Sequence, residues 1–215
     1  MFNFKKVSGR VIRNDFLIIN TPSTTLDNIN KWAENKPEQF KKILPIAYNI
    51  SVKYGVDPVV TIAQIALETG YCRYGGKVPS THHNTCGLKT KDGKSFHAFK
   101  SWEEGIEAHV QHLALYADAK SLAGKTIVDP RHFKELKGTA KTLNALSLKW
   151  ATNSDYGKKL NALCKEISKM QNPTLCVRVF CRLQPCFSVS FCLRKNTQFP
   201  CRKKSPTTRS IPQSR

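Results

Sequence analysis

Glu68 is the side chain in this sequence best placed to do chemistry. It lies in Asp57-Pro-Val-Val-Thr-Ile-Ala-Gln-Ile-Ala-Leu-Glu-Thr-Gly70 and is the one ionisable group there after the first residue. A carboxyl in the last turn of an apolar helix meets the negative end of the helix dipole and poor solvation. Both raise its pKa. A carboxylic acid still protonated near neutral pH can give its proton to a leaving group, as a general acid must.

The helix that would position it has clear signals. Asp57 suits the N-cap, and Pro58 the first helical position, where a missing N–H costs nothing. Gly70 suits the residue just past the end. Val59, Val60, Ile62, Ala63, Ile65, Ala66 and Leu67 make the segment apolar nearly all round, so a buried central helix is expected.

Two later stretches extend the pattern: His83-Asn84-Thr85-Cys86-Gly87-Leu88-Lys89 and Trp150-Ala-Thr-Asn-Ser-Asp-Tyr156-Gly. With Ala66-Leu67-Glu68-Thr69-Gly70 they resemble the glucosaminidase domains of glycoside hydrolase family 73, the mannosyl-glycoprotein endo-β-N-acetylglucosaminidase type. The resemblance covers residues 25–170 and implies an α+β, mostly helical, lysozyme-like fold with a small β-hairpin lobe. It implies endo-β-N-acetylglucosaminidase hydrolysis of the β-1,4 bonds of bacterial peptidoglycan, leading to wall lysis, with Glu68 as the acid. Tyr71, Asn84 and Tyr156 become the expected substrate-binding positions, Tyr156 near the cleaved bond. Asn84 could equally order its loop. Peptidoglycan glycan strands are the expected partner, the chain acting as a monomer, and no cofactor is expected.

Most glycosidases use two carboxyl groups, and here the sequence departs from the common pattern. Between Gly70 and Ser101 the one acid is Asp92, a possible second acid. However, Asp92-Gly93 is what a tight turn demands by itself. A substrate-assisted route therefore stays open, the 2-acetamido group of N-acetylglucosamine serving as nucleophile. A non-catalytic glycan-binding or virion structural module and a lytic transglycosylase remain alternatives.

Six histidines raise the question of a metal. His109 and His112 are one helical turn apart, but no His-Glu-x-x-His is present, and an amphipathic surface accounts for the pair; no metal site is expected. Cys72 and Cys86 have no zinc-like spacing and are expected as free thiols.

The remaining elements follow from periodicity. Thr24 or Thr25 starts a helix through Ile29 and Trp32, and Pro37 opens a stronger one, interrupted by Pro45 and ended by Gly55. Lys91-Asp-Gly-Lys94 predicts a hairpin between 86–90 and 95–99. Ser101-Trp-Glu-Glu104 is a capping box for a helix to Asp118. Pro130 opens a short turn or helix through Leu136, and helices are expected over about 139–151 and 155–169. Residues 1–24 read as an arm that could form its own short hairpin.

Of 35 Lys and Arg and 15 Asp and Glu, nine basic residues and no acid fall in 171–215, together with five of the eight cysteines. That segment has no helix or strand pattern and is expected to be a disordered basic tail outside the domain. A basic chain suits a polyanionic partner such as a bacterial wall. Its scattered lysines lack the clustering and aromatic interleaving of nucleic-acid modules, so no nucleic acid is expected. No apolar run reaches the ~18 residues of a membrane span, so no stable insertion is expected. No secretory signal is visible. The chain is expected to act on the bacterial wall after release from the cytoplasm, in the manner of a phage lysin, or as part of a virion.

Overall fold

The computed structural model describes residues 15–169. The expected arm over 1–14 and the tail over 171–215 lie outside them. The described chain holds six α-helices: α1 Leu26–Trp32, α2 Glu38–Lys53, α3 Pro58–Thr69, α4 Trp102–Ala117, α5 Leu143–Leu146 and α6 Tyr156–Lys169.

Helix α3 is the hub. Every residue from Pro58 to Ala66 is buried, because α2 and α6 pack on it from two sides and α4 from a third. Burying each Val or Ile contributes about 1.5–3 kcal/mol, which is why so short a helix can organise the core. Its start is fixed by the fully buried Asp57, whose carboxylate accepts from the N–H groups of Val59 (3.1 Å) and Ser23 (3.2 Å) and from the Ser23 hydroxyl. In α4, Ser101 Oγ accepts from Glu104 N at 3.3 Å. Glu104 reaches back to the N–H of Lys100 at 2.7 Å, one residue before the cap.

The first strand of the hairpin expected in the N-terminal arm, at 7–12, lies outside the described residues, and the described part of the arm pairs with distant segments. Ile18 N donates to Lys141 O (3.0 Å) and Leu143 N to Phe16 O (3.1 Å), while Asp57 N donates to Ile18 O (2.9 Å). Residues 16–18 are thus wedged between two distant segments, with Phe16 and Ile18 buried in the core.

The expected β-hairpin lobe is reduced to one antiparallel bridge, Lys89 with Phe96. Side chains take over the next rung on each side. Asn84 inserts its carboxamide, accepting from Leu88 N (2.9 Å) and donating to His97 O (2.9 Å), the two groups that would otherwise bond to each other. At the other end Ser95 N donates to Thr90 Oγ1 (3.3 Å) instead of to a carbonyl.

The helix expected over 139–151 shrinks to four residues. Leu148 adopts φ +62°, which an L-residue in a continuing helix cannot hold. The chain then turns to bring Trp150 inward. Helix α5 packs on α6 at Gly157, where an added Cβ would lie 2.3 Å from Leu143 O; only glycine permits this approach.

Candidate active site

Helix α3 ends in an unusual way. Gly70, Tyr71 and Cys72 have φ of +57°, +60° and +61°, making a short left-handed turn straight after Glu68 and Thr69. For non-glycine residues this costs roughly 1–2 kcal/mol each. Thr69 closes the turn: its hydroxyl donates to Ile65 O (2.6 Å) and accepts from Cys72 N (2.8 Å). The threonine beside the acid therefore has a structural reason. Tyr71 is directed into an aromatic cluster, with ring centroids 5.4 Å from Phe40 and 6.1 Å from Trp32, and Lys36 Nζ lies 4.7 Å from its ring.

Glu68 is exposed as a residue, yet surrounding protein takes solvent from its carboxyl. This loss of solvation raises its pKa above the ordinary carboxyl value, and hydrogen bonds from Tyr156 and Trp150 offset part of the rise. Tyr156 donates to Glu68 Oε1 at 2.5 Å. Burial, followed by the charge of Glu68, holds the Tyr156 phenol far above its usual pKa, so it stays a neutral donor.

Behind Tyr156 runs a line of buried polar groups. Gln64 Nε2 donates to the Tyr156 hydroxyl at 2.7 Å, and Gln64 Oε1 lies 2.9 Å from His109 Nε2. His109 Nδ1 lies 3.0 Å from Thr85 Oγ1. Gln64, His109 and Thr85 are all fully buried. Burial, reinforced by His112, pushes the His109 pKa down to about 3, so the ring is neutral.

His109 and His112 thus do not lie on an amphipathic surface as expected. Both are buried, His112 bonding Asp129 Oδ2 at 2.8 Å. Trp150 packs on both rings, at centroid distances of 5.8 and 5.1 Å. Among the described residues, no group of three or more His, Cys, Asp or Glu could hold a metal ion, and Cys72, Cys86 and Cys164 are free thiols.

The expected site residues fall in different places. Glu68 and Tyr156 come together. Tyr156, however, is buried beneath Glu68, its hydroxyl spent between Gln64 and the carboxylate. Asn84 is buried too, with both ends of its amide committed to the loop through Leu88 and His97. Asp92 sits in its exposed turn, accepting from Thr90 Oγ1 (2.5 Å) and Lys94 N (3.1 Å), which lower its pKa. From the sequence, Gln64 has no site role, His109 reads as surface, and Trp150 enters only as the first residue of a family motif. Gln64 carried a readable signal: a polar residue four positions before Glu68, on the same face of an apolar helix.

A groove of about 370 Å³ abuts the site across Trp150. Tyr116, His112 and Trp150 form part of its wall, and Lys89, Arg131 and Lys149 supply positive charge.

Residues 44–169 match the family described as Glucosaminidase: Mannosyl-glycoprotein endo-beta-N-acetylglucosaminidase. An uncharacterized protein of Borreliella burgdorferi is 31% identical over 161 residues, which is 72% of this chain and 78% of that protein. No solved structure matches. This chain is therefore a member of the glucosaminidase family, of the glycoside hydrolase 73 type.

Proposed function

We propose that this protein hydrolyses the β-1,4 glycosidic bonds of bacterial peptidoglycan as an endo-β-N-acetylglucosaminidase and so lyses cell walls, Glu68 protonating the leaving glycosidic oxygen. The observation that carries the reading is the state of Glu68. Its pKa is raised, Oε1 is held by Tyr156, and the residue is exposed. Such an acid has a proton to give and a fixed direction in which to give it. Tyr156 and Asn84 are assigned to holding the acid and ordering the loop, and Tyr71 to the aromatic wall beside the acid.

Among the described residues, the side chains that hydrogen-bond Glu68 are Tyr156 and Trp150, neither of them a carboxylate. This favours the substrate-assisted route. The 2-acetamido oxygen attacks the anomeric carbon while Glu68 gives its proton to the departing oxygen. Water then opens the cyclic intermediate, returning a proton to Glu68. Asp92→Asn is accordingly expected to keep wall-degrading activity within about two-fold, since Asn-Gly makes the same turn. A loss approaching that of a Glu68 variant would make Asp92 the second carboxylate.

The groove favours an acidic glycan over a neutral one, because lysine and arginine beside aromatic rings suit a sugar that carries carboxylates. Lys89→Glu is expected to raise KM for peptidoglycan roughly two- to five-fold, the scale of one exposed ion pair. Cleavage of a neutral N-acetylglucosamine oligomer should be unaffected. Equal effects on both substrates would remove the groove from recognition.

Mass analysis of purified peptidoglycan after digestion tests the activity itself. New reducing N-acetylglucosamine ends are expected. Reducing muramic ends would mean a muramidase, anhydro ends a transglycosylase, and no product a binding module.

A further inference from the structure

The buried line Thr85–His109–Gln64–Tyr156 ends on Oε1 of Glu68, and the role given to it below rests on the reading of Glu68 as the acid. Its contacts, 3.0, 2.9, 2.7 and 2.5 Å, are all hydrogen bonds, and each group uses one atom toward each neighbour. Such a line can run in two directions. In the forward one, Thr85 donates to His109 Nδ1, His109 Nε2–H to Gln64 Oε1, Gln64 Nε2–H to the Tyr156 hydroxyl, and Tyr156 to Glu68 Oε1. In the reverse one, the Gln64 amide is turned over. Glu68 then donates from Oε1 to Tyr156, which donates to Gln64.

The two directions differ in what they do to the acid. Forward, Tyr156 donates to Oε1 whether Glu68 is protonated or ionised, so the acidic proton is confined to Oε2. No side chain need turn over during the catalytic cycle. Reverse, the proton sits on Oε1 against Tyr156, and ionisation costs the carboxylate its Tyr156 donor, leaving it Trp150. The amide orientation in the structure is the forward one.

We propose that His109, itself held by Thr85, is a positioning residue that locks the Gln64 amide forward and thereby fixes the Glu68 proton on Oε2. An amide does not pass a proton from one neighbour to the next by simple exchange, so the line orients the acid and does not conduct protons. Neutrality of His109 is what lets it serve as one donor and one acceptor; as a cation both ring nitrogens would donate and Thr85 would have to accept.

The titratable groups around this line come from four elements. Tyr156 from α6 and Cys86 from the loop after Asn84 face Glu68, and both are held well above their usual pKa. His112 on α4 faces His109 and is itself paired with Asp129 from the following loop.

The test compares His109→Met, which removes the donor to Gln64, with His109→Gln, whose amide can restore it. Thr85→Val serves as a milder variant should the methionine substitution disturb folding. Two readouts are needed: the titration of the Glu68 carboxyl by carbon-13 NMR, and kcat and KM on peptidoglycan. In His109→Met the loss of a fixed Tyr156 donor should raise the Glu68 midpoint by about one pH unit. It should also lower kcat roughly ten-fold or more with KM unchanged. Thr85→Val should move both in the same direction by less, and His109→Gln should bring both back toward wild type.

An unshifted Glu68 midpoint in His109→Met and Thr85→Val overturns the proposal, even if activity falls. If the midpoint shifts as expected but Glu68→Gln still cleaves, the line stands as a hydrogen-bond device and the reading of Glu68 as the acid fails instead.

Discussion

Glu68→Gln is expected to reduce peptidoglycan hydrolysis by at least roughly 10²–10⁴-fold, the usual contribution of a general acid. The amide is nearly isosteric and its oxygen can still accept from Tyr156, so the fold should survive. Retention of about a tenth of wild-type activity would remove Glu68 from the acid role. The pH dependence follows from the same group. Glu68 has a raised pKa in the folded protein, so activity should fall on the basic side, as pH climbs through that raised value and the acid ionises. Stability has the same sign. The folded state holds this proton more tightly than the unfolded chain, so the contribution is full below the unfolded pKa and is lost as pH rises through the folded one. At neutral pH and above, Glu68→Gln should therefore melt no lower than wild type, and slightly higher. The gain is small because the residue is exposed. A variant both inactive and clearly less stable would point to a structural role for the carboxylate.

Gly105→Ala is expected to be the most damaging single methyl addition in the described chain. A Cβ there would lie 1.9 Å from the backbone oxygen of His83 and 3.2 Å from the ring of Phe99. A backbone carbonyl cannot swing aside as a side chain can, so α4 and the loop at 83–85 must part. Overpacking of this kind costs about 1–3 kcal/mol or more, several degrees of Tm in a domain this size. The displaced loop carries Asn84 and Thr85, so activity should fall beyond what the loss of folded protein explains. Thermal unfolding and specific activity per folded molecule would check both parts. Unchanged melting would mean that α4 does not press on His83.

These two sites show where sequence alone suffices and where it stops. Asp57, Pro58 and Gly70 signal the ends of α3 through local rules, and its apolar run signals burial, so Glu68 could be placed at a buried helix end before any coordinates. The capping box of α4 was readable for the same reason. Nothing local marks Gly105, because the atom that requires it belongs to a residue 22 positions earlier. His109 and His112 have helical spacing that fits a surface as well as an interior. Their partners, Gln64 and Thr85 for one and Asp129 for the other, come from three other segments. The hairpin was misjudged because Asp92-Gly93 does make its turn, while Asn84 and Thr90 take the rungs that would have lengthened it. Periodicity does not report a side chain standing in for a peptide group.

The carboxamide of Asn84 also acts as a mechanical fuse. It clamps the base of the 88–97 excursion to the loop that carries Thr85, whereas the tip at 91–94 is joined to its base by one bridge and its own turn. Along the chain, changes in the tip therefore meet the clamp first; across space the tip also touches Arg131, which donates to Lys91 O at 3.3 Å. Residues inserted at 92–93 would lengthen the excursion without altering the catalytic geometry, which makes that turn the place to graft a peptide tag, a fluorophore or a targeting sequence. An insertion between 84 and 88 would cut the clamp itself and let every displacement of the tip reach the acid.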